Sequence, residues 1–139
     1  MAKFVLKNPT VVLNGVDLTD HCSKCTIETS FDNPDVTSFG AVYKSILQGM
    51  GDAKMTFSFF QDFAAGSVDA TLWPLSQSGN PFLCSVKPTN AATSATNPRF
   101  DMTGVLLTYN PVDGAVGDAS STDVEVDNAS QTGLTRNIT

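Results

Sequence analysis

Along most of this chain apolar and polar residues alternate with a period of two, the spacing of a strand that buries one face. Residues 24 to 31 set Cys25, Ile27, Thr29 and Phe31 on the apolar face against Lys24, Thr26, Glu28 and Ser30. Residues 53 to 59 set Met55, Phe57 and Phe59 against Lys54, Thr56 and Ser58, and residues 82 to 87 set Phe82, Cys84 and Val86 against Leu83, Ser85 and Lys87. Near the end, Val124 and Val126 alternate with Asp123, Glu125 and Asp127, which places three carboxylates on one exposed face. Residues 9 to 14, 41 to 47, 99 to 109 and 133 to 138 are further strand candidates. So many short strands predict a mainly β fold, a small sandwich or barrel of two packed antiparallel sheets.

One segment carries the helical period instead. In "GSVDATLWPLSQSG", residues 66 to 79, Val68, Leu72 and Leu75 fall on one helix face, Ser67 stands at the N-cap, Asp69 suits the positive end of the dipole, and Gly79 is placed to stop the helix. Pro74 opposes it, because an interior proline loses a backbone hydrogen bond at a cost of about 3 kcal/mol. The expectation is a short flanking helix that kinks or ends near Trp73. Residues 88 to 98 and 110 to 122 consist of small, hydroxyl and turn residues and predict exposed loops. The stretch from Asp32 to Asp52 differs, for it carries Phe39, Tyr43, Ile46, Leu47 and Met50 between turn-forming ends. An apolar loop of that length needs a surface to cover, either the domain's own core or a neighbour.

Composition narrows the functional classes. The 139 residues fit one domain, 1–139, and with 41% hydrophobic and 16% charged residues they can support a packed core. No apolar run reaches membrane-spanning length, and the opening "MAKFVLK" is too short in apolar residues for a secretory leader, so a soluble protein that stays in the cytoplasm where it is made is expected. Fourteen acidic residues against eight basic ones give a net charge of −6, which argues against a protein that holds DNA by general electrostatic attraction.

The densest chemistry is "HCSKC", residues 21 to 25, which holds the single histidine and two of the three cysteines. With Cys84 added, the four ligands of a structural zinc site are just present. Against that reading, Cys25 keeps register with Ile27 and Cys84 sits between Phe82 and Val86, both as small core hydrophobes, and no helix follows the C-x-x-C as a thioredoxin-like site requires. No nucleophile elbow or glycine-rich phosphate loop accompanies His21. The expectation is a protein with no cofactor, no metal and no catalytic residue, whose work is done by surfaces.

The order of segments then becomes informative. "VVLNGVDLTDHCSKCTIETSFDNPDVTSFG", followed by "GMGDAKMTFSFFQDFAAGSVDATLWPL", "GNPFLCSVKPT" and "FDMTGVLLTYNPVDGAVGDASSTDVEVDN", resembles the tail tube (major tail) proteins of long-tailed bacteriophages over nearly the whole chain. "HCSKC" is the departure from that pattern. The resemblance implies a noncatalytic virion protein, assembled in the bacterial host cytoplasm, whose hexameric rings stack into the hollow tail through which DNA passes without specific binding. It also implies contacts with tape measure, terminator and baseplate components. It places Phe39, Tyr43, Ile46, Leu47 and Met50 at the contact between stacked rings, and it makes residues 1–8 and 129–139 candidate arms on neighbouring subunits, frayed termini being the other reading. A lumen that DNA must traverse should not grip phosphate, so Glu28, Asp123, Glu125 and Asp127 are candidate lumen residues, an ordinary solvated acidic surface being the alternative. A capsid decoration protein, a secretion-system tube protein and a small metal or redox domain remain as alternatives.

Overall fold

The computed structural model of the protein describes residues 3–139. Its elements are β1 (Thr10–Leu13), β2 (Val16–Asp17), β3 (Cys22–Phe31), β4 (Gly51–Phe60), α1 (Val68–Ser78), β5 (Phe82–Lys87), β6 (Arg99–Tyr109), β7 (Ser121–Asn128) and β8 (Thr135–Asn137), with a single 3-10 turn at Thr19–His21. The fold is mainly β, with one helix, as the alternation predicts. The expected pair of packed sheets is instead one antiparallel sheet in the order β2-β1-β5-β6-β7-β4-β3, with β8 added to the first residues of β6. The physical reason is that the central β6 bonds to β5 on one side and β7 on the other, so the ladder has no break at which a second sheet could separate.

That sheet still encloses a core. Val11 and Leu13 of β1, Met55, Phe57 and Phe59 of β4, Cys84 of β5, Met102 of β6 and Val124 and Val126 of β7 are buried in one apolar cluster, so the sheet must curl around it. Phe57 and Phe59 stack with ring centroids 5.7 Å apart. Two bulges aid the curling, since an extra residue in one strand bends it and increases its twist. In β3 the register slips between Cys22 and Lys24, leaving Ser23 unpaired, and in β6 it slips between Leu106 and Thr108, leaving Leu107 exposed.

Helix α1 lies over β6 and closes the cluster with Val68, Leu72 and Leu75. It runs unbroken through Pro74 to Ser78 and does not end near Trp73. Magnitudes explain the difference: burying three branched aliphatic side chains contributes roughly 1.5–3 kcal/mol each, together more than the roughly 3 kcal/mol that an interior proline costs. Gly79 ends the helix in the left-handed region, φ 68°, as expected. Ser67 does occupy the N-cap, but its hydroxyl turns back to donate to Asp62 Oδ2 at 2.8 Å and does not cap the first turn.

Two strand expectations need correction. Residues 41 to 47 form no strand; only the isolated bridge between Asp35 and Ile46 survives there, because the segment stands away from the core. The far end of β3 is also uncovered. Thr29 and Phe31 are exposed, because their partners Ala53 and Gly51 lie where β4 enters the sheet from a projecting loop. The Phe31 ring lies instead along the backbone of Gly51, where an added Cβ would come within 2.7 Å of it.

Candidate assembly surfaces

Three surfaces are built by this fold, and the first is acidic. Register aligns Glu28 of β3 with Lys54 of β4 and Asp127 of β7, then Thr26 with Thr56 and Glu125, then Lys24 with Ser58 and Asp123. Because Met55, Phe57, Val124 and Val126 point into the core, these rows all stand on the opposite face. The four carboxylates singled out from the sequence are thus brought together, although Glu28 and Asp127 are far apart along the chain. Asp52 joins them, and Lys24 and Lys54 are the cations within the same rows.

The face is only partly neutralised. Lys54 Nζ is 3.7 Å from Glu125 Oε1, and Ser58 Oγ donates to Asp123 Oδ1 at 2.7 Å. Asp127 Oδ1 is buried and, among the described residues, has no hydrogen-bond partner. Its carboxyl is pushed above the usual aspartate range, first by desolvation and then by the neighbouring charges of Glu125 and Asp52, with Lys54 acting in the opposite direction. Among the described residues no group of three or more His, Cys, Asp or Glu is arranged to hold a metal ion.

The second surface is the loop between β3 and β4. It is a hydrogen-bonded ribbon and not a loose coil: Asp32 N–H donates to Met50 O at 2.9 Å, Leu47 N–H to Pro34 O at 3.1 Å, and Val36 N–H to Ser45 O at 2.8 Å. Thr37 locks its middle by accepting from Ser45 N–H at 2.8 Å. Gly40, at φ 83°, turns the tip. The five apolar residues picked out from the sequence lie along this ribbon with exposures from 59% for Leu47 to 108% for Phe39, so the reading in which they cover the domain's own core is overturned. Burying all five would be worth roughly 7–15 kcal/mol, a driving force comparable to the roughly 4–15 kcal/mol lost when two bodies associate.

The third surface is the edge of the sheet. β3, ten residues long, pairs on one side only, whereas the opposite edge ends in the two-residue β2. Sequence reasoning missed two features beside it. His21 Nε2 and Asp62 Oδ2 are 3.0 Å apart, joining the turn before β3 to the approach of α1, and the Ser23 bulge puts Cys22 on the same side of the strand as Cys25. Cys84 is buried, and burial pushes its thiol up to about 12. Of the candidate arms, residues 1 and 2 lie outside the described residues. Residues 129–139 include β8, which pairs with β6 of the same chain, while Phe4, Val5 and Leu6 are exposed.

Comparison with known proteins places this architecture. No family model and no curated protein matches the sequence. Solved structures do match in fold. A chain of the virion of a native gene transfer agent particle aligns with TM-score 0.75 at 13% identity, over 94% of this chain and 95% of the other. A chain from the tail of the empty gene transfer agent particle, which has C6 symmetry, aligns with TM-score 0.71 at 14% identity, over 92% of each chain. The SPP1 tail tube aligns with TM-score 0.74 at 8% identity, over 95% of this chain and 77% of that one. A chain of the sheath–tube complex of an extracellular contractile injection system, PVC, aligns with TM-score 0.68 at 8% identity, over 99% and 93%. The chain therefore shares the fold of proteins in gene transfer agent particles, in the SPP1 tail tube and in a contractile injection system.

Proposed function

We propose that this chain is the structural subunit of a phage tail tube, that its copies form hexameric rings, and that the rings stack into the conduit for DNA in the virion tail. The observation that carries this reading is the fold match over more than nine-tenths of the chain to a tail with C6 symmetry and to a tail tube. Two features of the chain itself agree with it. The ribbon offers an exposed apolar surface at one end of the sheet, suited to a neighbouring ring, and the long one-sided β3 offers hydrogen bonds to a neighbouring subunit. In this reading the acidic face turns to the channel, and residues 1–8 and 129–139 lie near other copies. Tape measure, terminator and baseplate components would meet the ends of the tube. No catalytic residue is assigned.

Purified protein at rising concentration, followed by negative-stain electron microscopy and by light-scattering mass, tests the proposal. Rings with sixfold end views, joining into hollow tubes, are expected. Discrete trimers would overturn it in favour of capsid decoration, and a monomer that ignores both concentration and added tube ends would overturn it altogether.

A further inference from the structure

The two cysteines of "HCSKC", at the head of β3, have no role assigned in the assembly reading. In a regular strand, residues three apart point to opposite faces. Here the bulge absorbs Ser23, so Cys22 pairs with Phe59 and Cys25 with Phe57, two residues that share the core face of β4. The two cysteines are therefore one same-face repeat apart, about 6.8 Å between Cα atoms, which is at the upper limit of what a disulfide spans. Both are free and only half-buried at the open edge of the sheet, so a small reagent can reach them.

We propose that Cys22 and Cys25 form a reversible dithiol–disulfide pair, oxidised by exchange with a small-molecule disulfide, which staples the bulge at the head of β3. The Cys25 thiolate attacks one sulfur of the reagent RSSR, forming a mixed disulfide and releasing RS⁻. Cys22, losing its proton, then attacks the Cys25 sulfur, closes the protein disulfide and releases the second RS⁻. The protein loses two electrons and two protons, and the reagent is reduced to two thiols. The local chemistry fits this order of events. The neighbouring Cys22 favours the Cys25 thiolate and lowers Cys25 to about 7, while Cys25 and burial push Cys22 up. The single Cys22 S–H donates to Lys24 O at 3.3 Å. A bridge at the long end of the allowed span is readily reduced, as a reversible one must be.

The experiment incubates the reduced full chain with oxidised glutathione, blocks remaining thiols with an alkylating reagent, and measures intact and tryptic masses. The expected product has lost two hydrogens and carries no glutathione. Cleavage after Lys24 then leaves residues 8–24 joined to residues 25–44 until a dithiol is added. Cys84 should be alkylated only after unfolding. Cys22→Ser should keep glutathione as a stable adduct on Cys25, and Cys25→Ser should react at least about tenfold more slowly, because Cys22 alone is the poorer thiolate. Stable glutathione adducts on the natural chain, chain-to-chain dimers through either cysteine, or no oxidation at all would each overturn the proposal. The chain is tested dilute and unassembled, with the β3 edge open, so these results are read separately from tube formation.

Discussion

Asp62 shows how one side chain can hold several segments. Its Oδ1 accepts from Ala64 N–H at 3.0 Å, and its Oδ2 accepts from Ser67 Oγ at 2.8 Å and lies 3.0 Å from His21 Nε2. Its backbone carbonyl accepts from Asp69 N–H at 3.1 Å, so the same residue caps the approach to α1. These donors, with Ala64 N–H first and the Ser67 hydroxyl next, hold the carboxyl below its ordinary value of 3.8. A carboxylate whose pKa is lower in the folded than in the unfolded chain adds stability that is fully present above the unfolded value and is lost as pH falls through the folded one. Asp62→Asn should therefore lower the thermal midpoint at neutral pH. Its curve should converge with that of the natural chain as pH drops below about 3.8. Thermal melts across that range check this, and parallel curves at all pH values would show that the charge of Asp62 is not what stabilises.

At the scale of elements, the ribbon between β3 and β4 carries a clear expectation. Phe39 and Tyr43 are fully exposed near its tip, so replacing both with Ser should leave folding within about 0.5 kcal/mol of the natural chain. Assembly should suffer, since each lost burial is worth roughly 1.5–3 kcal/mol and so weakens association roughly ten- to hundredfold. Sedimentation should then find rings that no longer stack, and unchanged tube formation would remove the ribbon from the interface. The strand faces around it were legible in the sequence because alternation survives wherever a strand lies over the core, as at Met55, Phe57 and Phe59. Residues 41 to 47 pair their apolar side chains, Val42 with Tyr43 and Ile46 with Leu47, where a half-buried strand would alternate them, and with no core beneath them they form no strand. The bulges at Ser23 and Leu107 left no local signal either, because an extra residue is defined by the partner strand and not by its own side chain. That is why the sequence pattern placed Cys25 correctly on the core side but said nothing of Cys22 joining it. Pro74 misled for a different reason, since propensity is local and the burial of Val68, Leu72 and Leu75 is not.

For the molecule as a whole, the proposed tube raises the question of what an acidic face would do beside travelling DNA. Each carboxylate in the rows was readable as polar-facing from its own strand, but their juxtaposition depends on register across β3, β4 and β7. Attraction between a wall and DNA grows with the number of phosphates that Lys and Arg neutralise, and the logarithm of the binding constant falls with the logarithm of salt at a slope of about −0.9 per contact. Exchanging Glu28, Asp123, Glu125 and Asp127 for Lys changes the charge by two at each position and takes the formal net charge of the chain from −6 to +2. It also concentrates the change on one face, beside Lys24 and Lys54. The apolar ribbon and the core are untouched, so rings and tubes should still form. Tubes of the variant should then retain DNA at low salt and release it steeply as salt rises, whereas natural tubes should retain none, and phage carrying the variant should eject their DNA more slowly. Equal retention by both, measured with labelled DNA over a salt series, would place the acidic face on the outside of the tube, where its charge keeps neighbouring tubes apart and has no part in ejection.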